Sequence, residues 1–368
     1  MKKILYILNS NGIGGAEASI KRMNENYFTD ADVLTMWGHN NVQKEFWNFG
    51  HNGQVISLTD KSLSISTLIK VMKDLIKYLK INKYDVIQTQ LKGSDIIIGF
   101  LVWIGLVKKE KLIASLRNNY EFYYETGLKN RLVGKVHQFF MKKVFDKIVV
   151  VSRQDLDKFK KVFGDKLVVI ENSINYEKFN KKVDFNFTKN TIELALVGNV
   201  KHRKGYDKLD ELFQLLANDD KNYIFNIAGG IEDEELKNNV VKDSTKYKNI
   251  EVIFHGKISD INIFLLKNDI FLSLSRVEGL PISVLEAMAI KIPIILSNID
   301  AHSLIIDDQI KDLVLFNSAE KCAHNITNIN SNYQLIIQNQ YELLKQRFDF
   351  KNMCGKYEDI YNEIGETI

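Results

Sequence analysis

The chain has 368 residues, 45% of them hydrophobic and 26% charged, and a formal net charge of +4 at pH 7. That is the composition of a globular protein long enough for two cores, and it excludes disordered, collagen-like and disulfide-scaffold classes. The net figure hides an asymmetry: residues 1–190 carry 31 basic and 19 acidic side chains, residues 191–368 carry 19 and 27, which points to an anionic partner for the first half.

The apolar run Ile4–Leu8 after Met1-Lys2-Lys3 is too short for a signal-peptide core and reads as a first buried strand. Asn11-Gly12-Ile13-Gly14-Gly15-Ala16-Glu17 follows directly. Gly14 and Gly15 allow a ligand to approach the backbone ahead of a helix start, with a plain tight turn as the alternative. Further strands are expected at Asp32–Met36, Gln54–Leu58, Val86–Gln90, Leu112–Leu116, Ile148–Val151 and Leu167–Ile170. Ile65, Leu68, Ile69, Met72, Leu75, Ile76 and Leu79 recur at helical spacing, with Lys70, Lys73, Lys77 and Lys80 on the opposite face.

The longest apolar stretch, Ile96–Val107, is about half of what a bilayer needs and reads as a buried helix. Leu128 to Phe145 sets Lys129, Arg131, Lys135, Lys142 and Lys143 beside Leu132, Phe139, Phe140 and Val144. It is a candidate surface for an anionic membrane, or an ordinary helix with one buried face. Asp-x-Asp occurs at Asp30–Asp32 and Asp155–Asp157, each at the start of an element rather than at a strand's carboxyl end, so no metal is expected there. Cys322 and Cys354 are far apart and are expected as reduced thiols.

The polar stretch Asn172–Asn190 lacks periodicity. It divides the chain into a first domain (1–175), a linker (176–190), a second domain (191–345) and a closing segment (346–368). Strands resume at Ile192–Val197, Tyr223–Ala228, Glu251–Phe254, Ile270–Leu274 and Ile294–Leu296, with a helix over Tyr206–Leu216 and a last one over Tyr341–Ile364. The alternation is that of doubly wound, Rossmann-like parallel sheets, an α/β class.

The most informative run is Glu278-Gly279-Leu280-Pro281-Ile282-Ser283-Val284-Leu285-Glu286. Pro281 suits the first helical position. The N–H groups of Ile282, Ser283 and Val284 would then form an anion site with the positive end of the helix dipole. Glu286, inside the helix, would reach hydroxyls of the same ligand, and Glu278 its other end. Two solvated glutamates at a surface helix start are the alternative.

The passage Asp269–Ser297 resembles the E-x7-E signature of the retaining glycosyltransferases of family four, the GT-B group 1 enzymes, and the resemblance runs along nearly the whole chain. It implies two Rossmann-like domains facing a cleft, with the C-terminal helix crossing back to the first domain. In Gly198-Asn199-Val200-Lys201-His202-Arg203-Lys204-Gly205 it implies that Lys204 binds the donor diphosphate, with Lys201 or Arg203 as a second cation. Ile227-Ala228-Gly229-Gly230 and Phe254-His255-Gly256-Lys257-Ile258 would wall the nucleotide base, or be plain turns.

By the same resemblance Glu278, Lys204 and Arg203 are catalytic. Gly14, Gly15, Gly198, Lys201, Gly229, Gly256, Gly279, Leu280, Ile282, Ser283, Val284 and Glu286 bind the donor. Arg117 stands where the family often has a sugar-contacting His, with Gln90 nearby. Arg117 is open between recognition of a phosphate or carboxylate and a structural ion pair. Ser173 and Asn175 also depart from the family's Gly and Asp.

The implied activity is transfer of a sugar, with retention, from a nucleotide-diphosphate sugar, by family frequency a UDP-sugar. The acceptor would be a glycan or lipid-linked saccharide of a capsular, exopolysaccharide or cell-wall polymer. No cofactor, metal or nucleic acid is expected, and the location is cytoplasmic with the inner membrane face as candidate. Two other readings stay open: a non-catalytic GT-B subunit that binds a transferase or glycan, and nucleotide-sugar epimerisation.

Overall fold

The computed structural model describes residues 2–10, 15–37, 52–61, 64–125 and 127–363. Asn11–Gly14, including the expected site residue Gly14, lies outside them, and the Lys129 side chain is not described.

The chain forms two compact units, residues 1–172 with 351–368, and residues 173–350. In the first, aliphatic runs form β1 (Ile4–Ser10), β2 (Asp32–Trp37), β3 (Val55–Ser57), β4 (Val86–Gln90), β5 (Lys111–Leu116), β6 (Lys147–Val150) and β7 (Leu167–Val169). They make one parallel sheet in the order β3-β2-β1-β4-β5-β6-β7. Helices cross over between strands, so both faces are covered and the strands need no polar alternation.

Helix Ile65–Ile81 buries Thr67, Val71, Leu75 and Leu79 and exposes Ile65 and Ile69. Leu68, Met72 and Ile76 of the expected apolar stripe also pack against the core, so Ile65 and Ile69 are the expected positions that face outward. The fully buried i, i+4 row begins at Thr67, and the lysines keep the outer face. Helix Gly127–Lys143 likewise corrects the expected apolar set: Phe140 and Val144 enter the core, while Leu128, Leu132, Val136 and Phe139 are exposed.

The expected C-terminal helix is two helices, Ile329–Arg347 and Phe350–Glu363, broken where the Phe348 carbonyl leaves the ladder to accept from Ile174 N–H at 3.2 Å. The second of these packs on the first sheet. Tyr361 is buried, its hydroxyl 3.3 Å from that of Tyr6 and donating to Gln88 Oε1. Tyr27 donates to Glu358 at 2.7 Å.

The second unit has β8 (Thr191–Val197), β9 (Asn222–Ala228), β10 (Ile250–Gly256), β11 (Ile270–Ser273), β12 (Ile294–Ser297) and β13 (Leu315–Phe316). All are parallel, in the order β10-β9-β8-β11-β12-β13. The edge strand β13 was not foreseen; two residues carry no periodicity. Residues 176–190, read as a linker, belong to this unit, because Phe187 is buried in its core and Tyr176, Phe179 and Phe185 pack on it.

Candidate functional site

In the second sheet the strand order runs outward from β8 in one direction and from β11 in the other. The loops that leave the carboxyl ends of these two strands therefore diverge, and the gap between them is where open α/β sheets bind ligands. The loop after β8 carries Gly198 to Gly205, and the loop after β11 carries Leu274 to Leu280. They are joined to each other. Arg276 N–H donates to the Arg203 carbonyl (2.9 Å), and the Arg276 guanidinium donates to the His202 carbonyl (2.7 Å) and grips Asp207 with both arms (2.6 and 2.5 Å).

Glu278 is the centre of this junction. Its carboxylate is buried; Oε1 accepts from Lys204 Nζ at 2.7 Å and from Ser275 Oγ at 2.8 Å, and Oε2 from Arg203 Nη1 at 3.2 Å. Arg203 Nη1 also donates to the Val277 carbonyl at 2.8 Å. Burial pushes the Glu278 carboxyl up, but the charges of Lys204 and Arg203 and the hydrogen bonds outweigh it and hold the group below its ordinary value. Two cations on one carboxylate leave one positive charge in excess. Arg276 is paired with Asp207 and Lys201 with Glu232, so those loop cations are already balanced.

Glycine is required where this loop meets its neighbours. Gly198 has φ +147°, and a Cβ on it would stand 2.5 Å from Lys204 Cε, so the lysine reaches Glu278 across a bare backbone. Gly229, at φ +154°, would drive a Cβ into the Gly198 carbonyl. Gly229 N–H donates to the Gly256 carbonyl (2.7 Å), and Gly230 N–H to Asn199 Oδ1 (2.9 Å). Asn199 and Lys201 both hold Glu232, so the structure gives Lys201 to that ion pair. His255 bonds Asn226 at 2.8 Å.

The helix after this loop runs Ile282–Ile290, with Pro281 at the N-cap rather than the first helical position. The reason is its ψ of 99°: the Pro281 residue is extended and its carbonyl accepts from Val284 N–H at 3.1 Å. Ile282 and Ser283, the first two helical residues, thus have no intrahelical acceptor for their N–H groups. Leu280 and Val284 bury their side chains in the core, so any contact they make is through backbone. Gly279 and Glu286 are partly exposed.

Sequence reasoning missed the polar chain beneath Glu278. Ser275 Oγ donates to Glu278, Ser273 Oγ lies 3.4 Å from Ser275 Oγ, and the fully buried His302 places Nε2 3.5 Å from Ser273 Oγ. His302 Nδ1 donates to the Ser297 carbonyl at 2.7 Å, and burial lowers the imidazole to about 4, so it is neutral. Two serines at the end of an aliphatic run were the available signal; nothing local marks His302.

In the first unit, Arg117 and Gln90 come together at the carboxyl ends of β5 and β4. Arg117 Nε donates to Gln90 Oε1 at 2.8 Å. Gly15 is exposed at the start of helix Gly15–Asn26, and no described residue stands within 4 Å of where its Cβ would be. In each Asp-x-Asp pair one aspartate braces the backbone. Asp32 accepts from Gln54 N–H (2.7 Å) and Tyr84 (2.6 Å), and Asp155 accepts from Tyr120 N–H (3.1 Å) and pairs with Lys158. Among the described residues no three His, Cys, Asp or Glu side chains are grouped to hold a metal ion.

Residues 177–343 match the model of the family described as Glycosyl transferases group 1. The chain is 29% identical over 308 residues to the O-antigen biosynthesis glycosyltransferase WclY of Escherichia coli, covering 81% of this chain and 84% of that protein. It is 23% identical over 318 residues, 81% of each chain, to the Escherichia coli UDP-Gal:alpha-D-GlcNAc-diphosphoundecaprenol alpha-1,3-galactosyltransferase. Among solved structures it is similar to HepE from Anabaena in complex with UDP and glucose, with a TM-score of 0.80 at 16% identity over 99% of this chain and 100% of that one. The fold is GT-B.

Proposed function

We propose that this chain is a group 1 glycosyltransferase that moves a sugar from a UDP-sugar to a glycan or lipid-linked saccharide with retention of anomeric configuration, in assembly of a bacterial surface polysaccharide. The observation that carries the reading is the surplus positive charge of Lys204 and Arg203 around buried Glu278, set beside the N-terminus of helix Ile282–Ile290. A diphosphate is the ligand that such a surplus and a pair of unengaged helical N–H groups suit. The names of the relatives, an O-antigen enzyme and a galactosyltransferase acting on a lipid diphosphate, support the acceptor class.

In this mechanism the bond between the anomeric carbon and the β-phosphate oxygen breaks as negative charge grows on the departing diphosphate. Lys204, Arg203 and the Ile282 and Ser283 N–H groups stabilise that charge without reorganising. Glu286 holds the ribose hydroxyls. Both Glu278 oxygens are engaged by cations and its carboxyl is held low, which makes it a poor nucleophile and a poor acid. The acceptor hydroxyl therefore attacks on the face the leaving group vacates and gives its proton to the departing phosphate oxygen. No step uses a metal.

The acceptor reading extends to a membrane surface. Leu128, Leu132, Val136 and Phe139 line one exposed stripe of helix Gly127–Lys143, and exposed Trp103 stacks edge-on to Phe139 at 5.6 Å. Arg131, Lys135, Lys142 and Lys143 are exposed on the same helix. Apolar side chains rimmed by cations suit an anionic lipid face. No described helix is long and apolar enough to cross a membrane.

The test is nucleoside diphosphate release from a panel of UDP-, GDP- and ADP-sugars in EDTA, with Glu286→Ala as control. Metal-independent turnover of one donor, lost in the variant, is expected. No turnover and no nucleotide binding would instead favour the non-catalytic subunit.

A further inference from the structure

The first unit contains a second charged site that the donor chemistry does not use. Arg117, just beyond β5, donates Nε to Gln90 Oε1 (2.8 Å) and Nη1 to Ser19 Oγ (3.1 Å) and Asn172 Oδ1 (2.8 Å). Its Nη2 is buried and has no partner among the described residues. The Gln90 side chain is fully buried, and its Nε2 also has no partner among them. The two unpaired donor nitrogens belong to the amide and the guanidinium that the Arg117 Nε to Gln90 Oε1 bond joins. All of the guanidinium's partners are neutral; among the described residues no carboxylate is paired with it.

Buried donors without acceptors are rare because each forfeits its hydration for nothing, and a part-buried cation without a counter-charge is worse. Such a pair persists where a ligand supplies what is missing. The place fits. The first sheet reverses its strand order between β1 and β4, and Gln90 is the last residue of β4. The next residue, Leu91, is held at φ +77°, a strained conformation for a non-glycine, and Asn9 of β1 bonds Ser94 N–H just beyond it (2.6 Å).

We propose that Arg117 and Gln90 form an oxyanion subsite in the first unit, one that takes a phosphate or carboxylate group. A fork of guanidinium and amide N–H groups matches the planar or trigonal oxygens of such a group, and its charge balances the arginine. The subsite goes beyond the donor reaction and rests on the first unit alone. A substrate that carries an acidic sugar and one that carries a phosphate would both satisfy it.

The experiment is calorimetric titration of the full chain, saturated with UDP so that the second unit's anion site is filled, with inorganic phosphate, glucuronate and glucose in turn. Binding of phosphate or glucuronate but not glucose is expected, and whichever oxyanion binds identifies the source. Gln90→Glu would place an internal carboxylate against Arg117. It should weaken oxyanion binding about 10- to 100-fold while UDP affinity and thermal stability hold. Arg117→Gln should weaken it similarly, and its melting temperature reports whether it folds. If the UDP-saturated protein binds neither oxyanion, or if Gln90→Glu binds them as wild type does, the subsite does not exist. A chain that ignores UDP yet binds phosphate through Arg117 would refute the donor reading and keep this one.

Discussion

Lys204→Ala separates what Lys204 does for the fold from what it does for the reaction. The lysine side chain is 15% exposed and the Glu278 carboxylate 9%, so water screens the pair little. Removing the amine takes from Glu278 its shortest cation contact, 2.7 Å, and leaves it Arg203 at 3.2 Å and Ser275 at 2.8 Å. A buried carboxylate stripped of all partners costs about 3–5 kcal/mol; with two donors left, about 2–3 kcal/mol is expected. For a unit of about 150–250 residues that is a melting point lower by about 5–10 °C. Turnover should fall by about 10²–10³-fold, the loss of one preorganised donor to a developing oxyanion.

The double variant Lys204→Ala/Glu278→Gln removes the uncompensated charge together with its partner. It should regain most of the stability and none of the activity. The assays are scanning fluorimetry and nucleoside diphosphate release. Lys204→Ala turning over within about 3-fold of wild type would refute the role of this lysine in leaving-group stabilisation. An unchanged melting point would refute the buried pair.

Gly198→Ala removes no polar group, yet its φ of +147° and the 2.5 Å approach of a Cβ to Lys204 Cε should dislodge the lysine. Donor turnover is expected to fall while circular dichroism is retained, at a strain cost of about 1–3 kcal/mol. His302, lowered by burial to about 4 against an unfolded value near 6.5, binds fewer protons folded than unfolded. Its contribution is complete above about pH 6.5 and is lost as the pH falls towards 4, a change of about 3 kcal/mol. Glu278, whose folded value is also depressed, adds loss in the same direction below the ordinary carboxylate range. His302→Gln should therefore flatten melting point against pH between 6.5 and 4, and an unaltered slope would assign the acid sensitivity elsewhere. Leu132→Asp with Phe139→Asp, at side chains 60% and 40% exposed, should weaken sedimentation with phosphatidylglycerol vesicles by about 10-fold. Stability should stay within about 0.5 kcal/mol for each change, and equal vesicle binding would remove this helix from the membrane reading.

Local sequence determined much of this protein. Parallel strands buried on both faces are runs of aliphatic residues, and their order and spacing already implied two doubly wound sheets. Glu278, Pro281 and Glu286 lie within one turn of chain and a helix start, so their relation is covalent geometry and was legible as such. What only the tertiary structure decided are relations between segments distant in sequence. That Ile65 and Ile69 stay exposed, although they continue the apolar stripe of helix Ile65–Ile81, depends on how far the rest of the unit covers the start of the helix. The pairing of Lys204 with Glu278 rather than Lys201, which goes to Glu232, depends on three loops converging at adjacent strand ends. The buried His302 beneath Glu278 and the unpaired nitrogens of Arg117 and Gln90 have no local signature at all. Whether a polar group finds a partner is settled by what the whole chain brings within 3 Å or so of it, and a sequence lists donors and acceptors without saying which will meet.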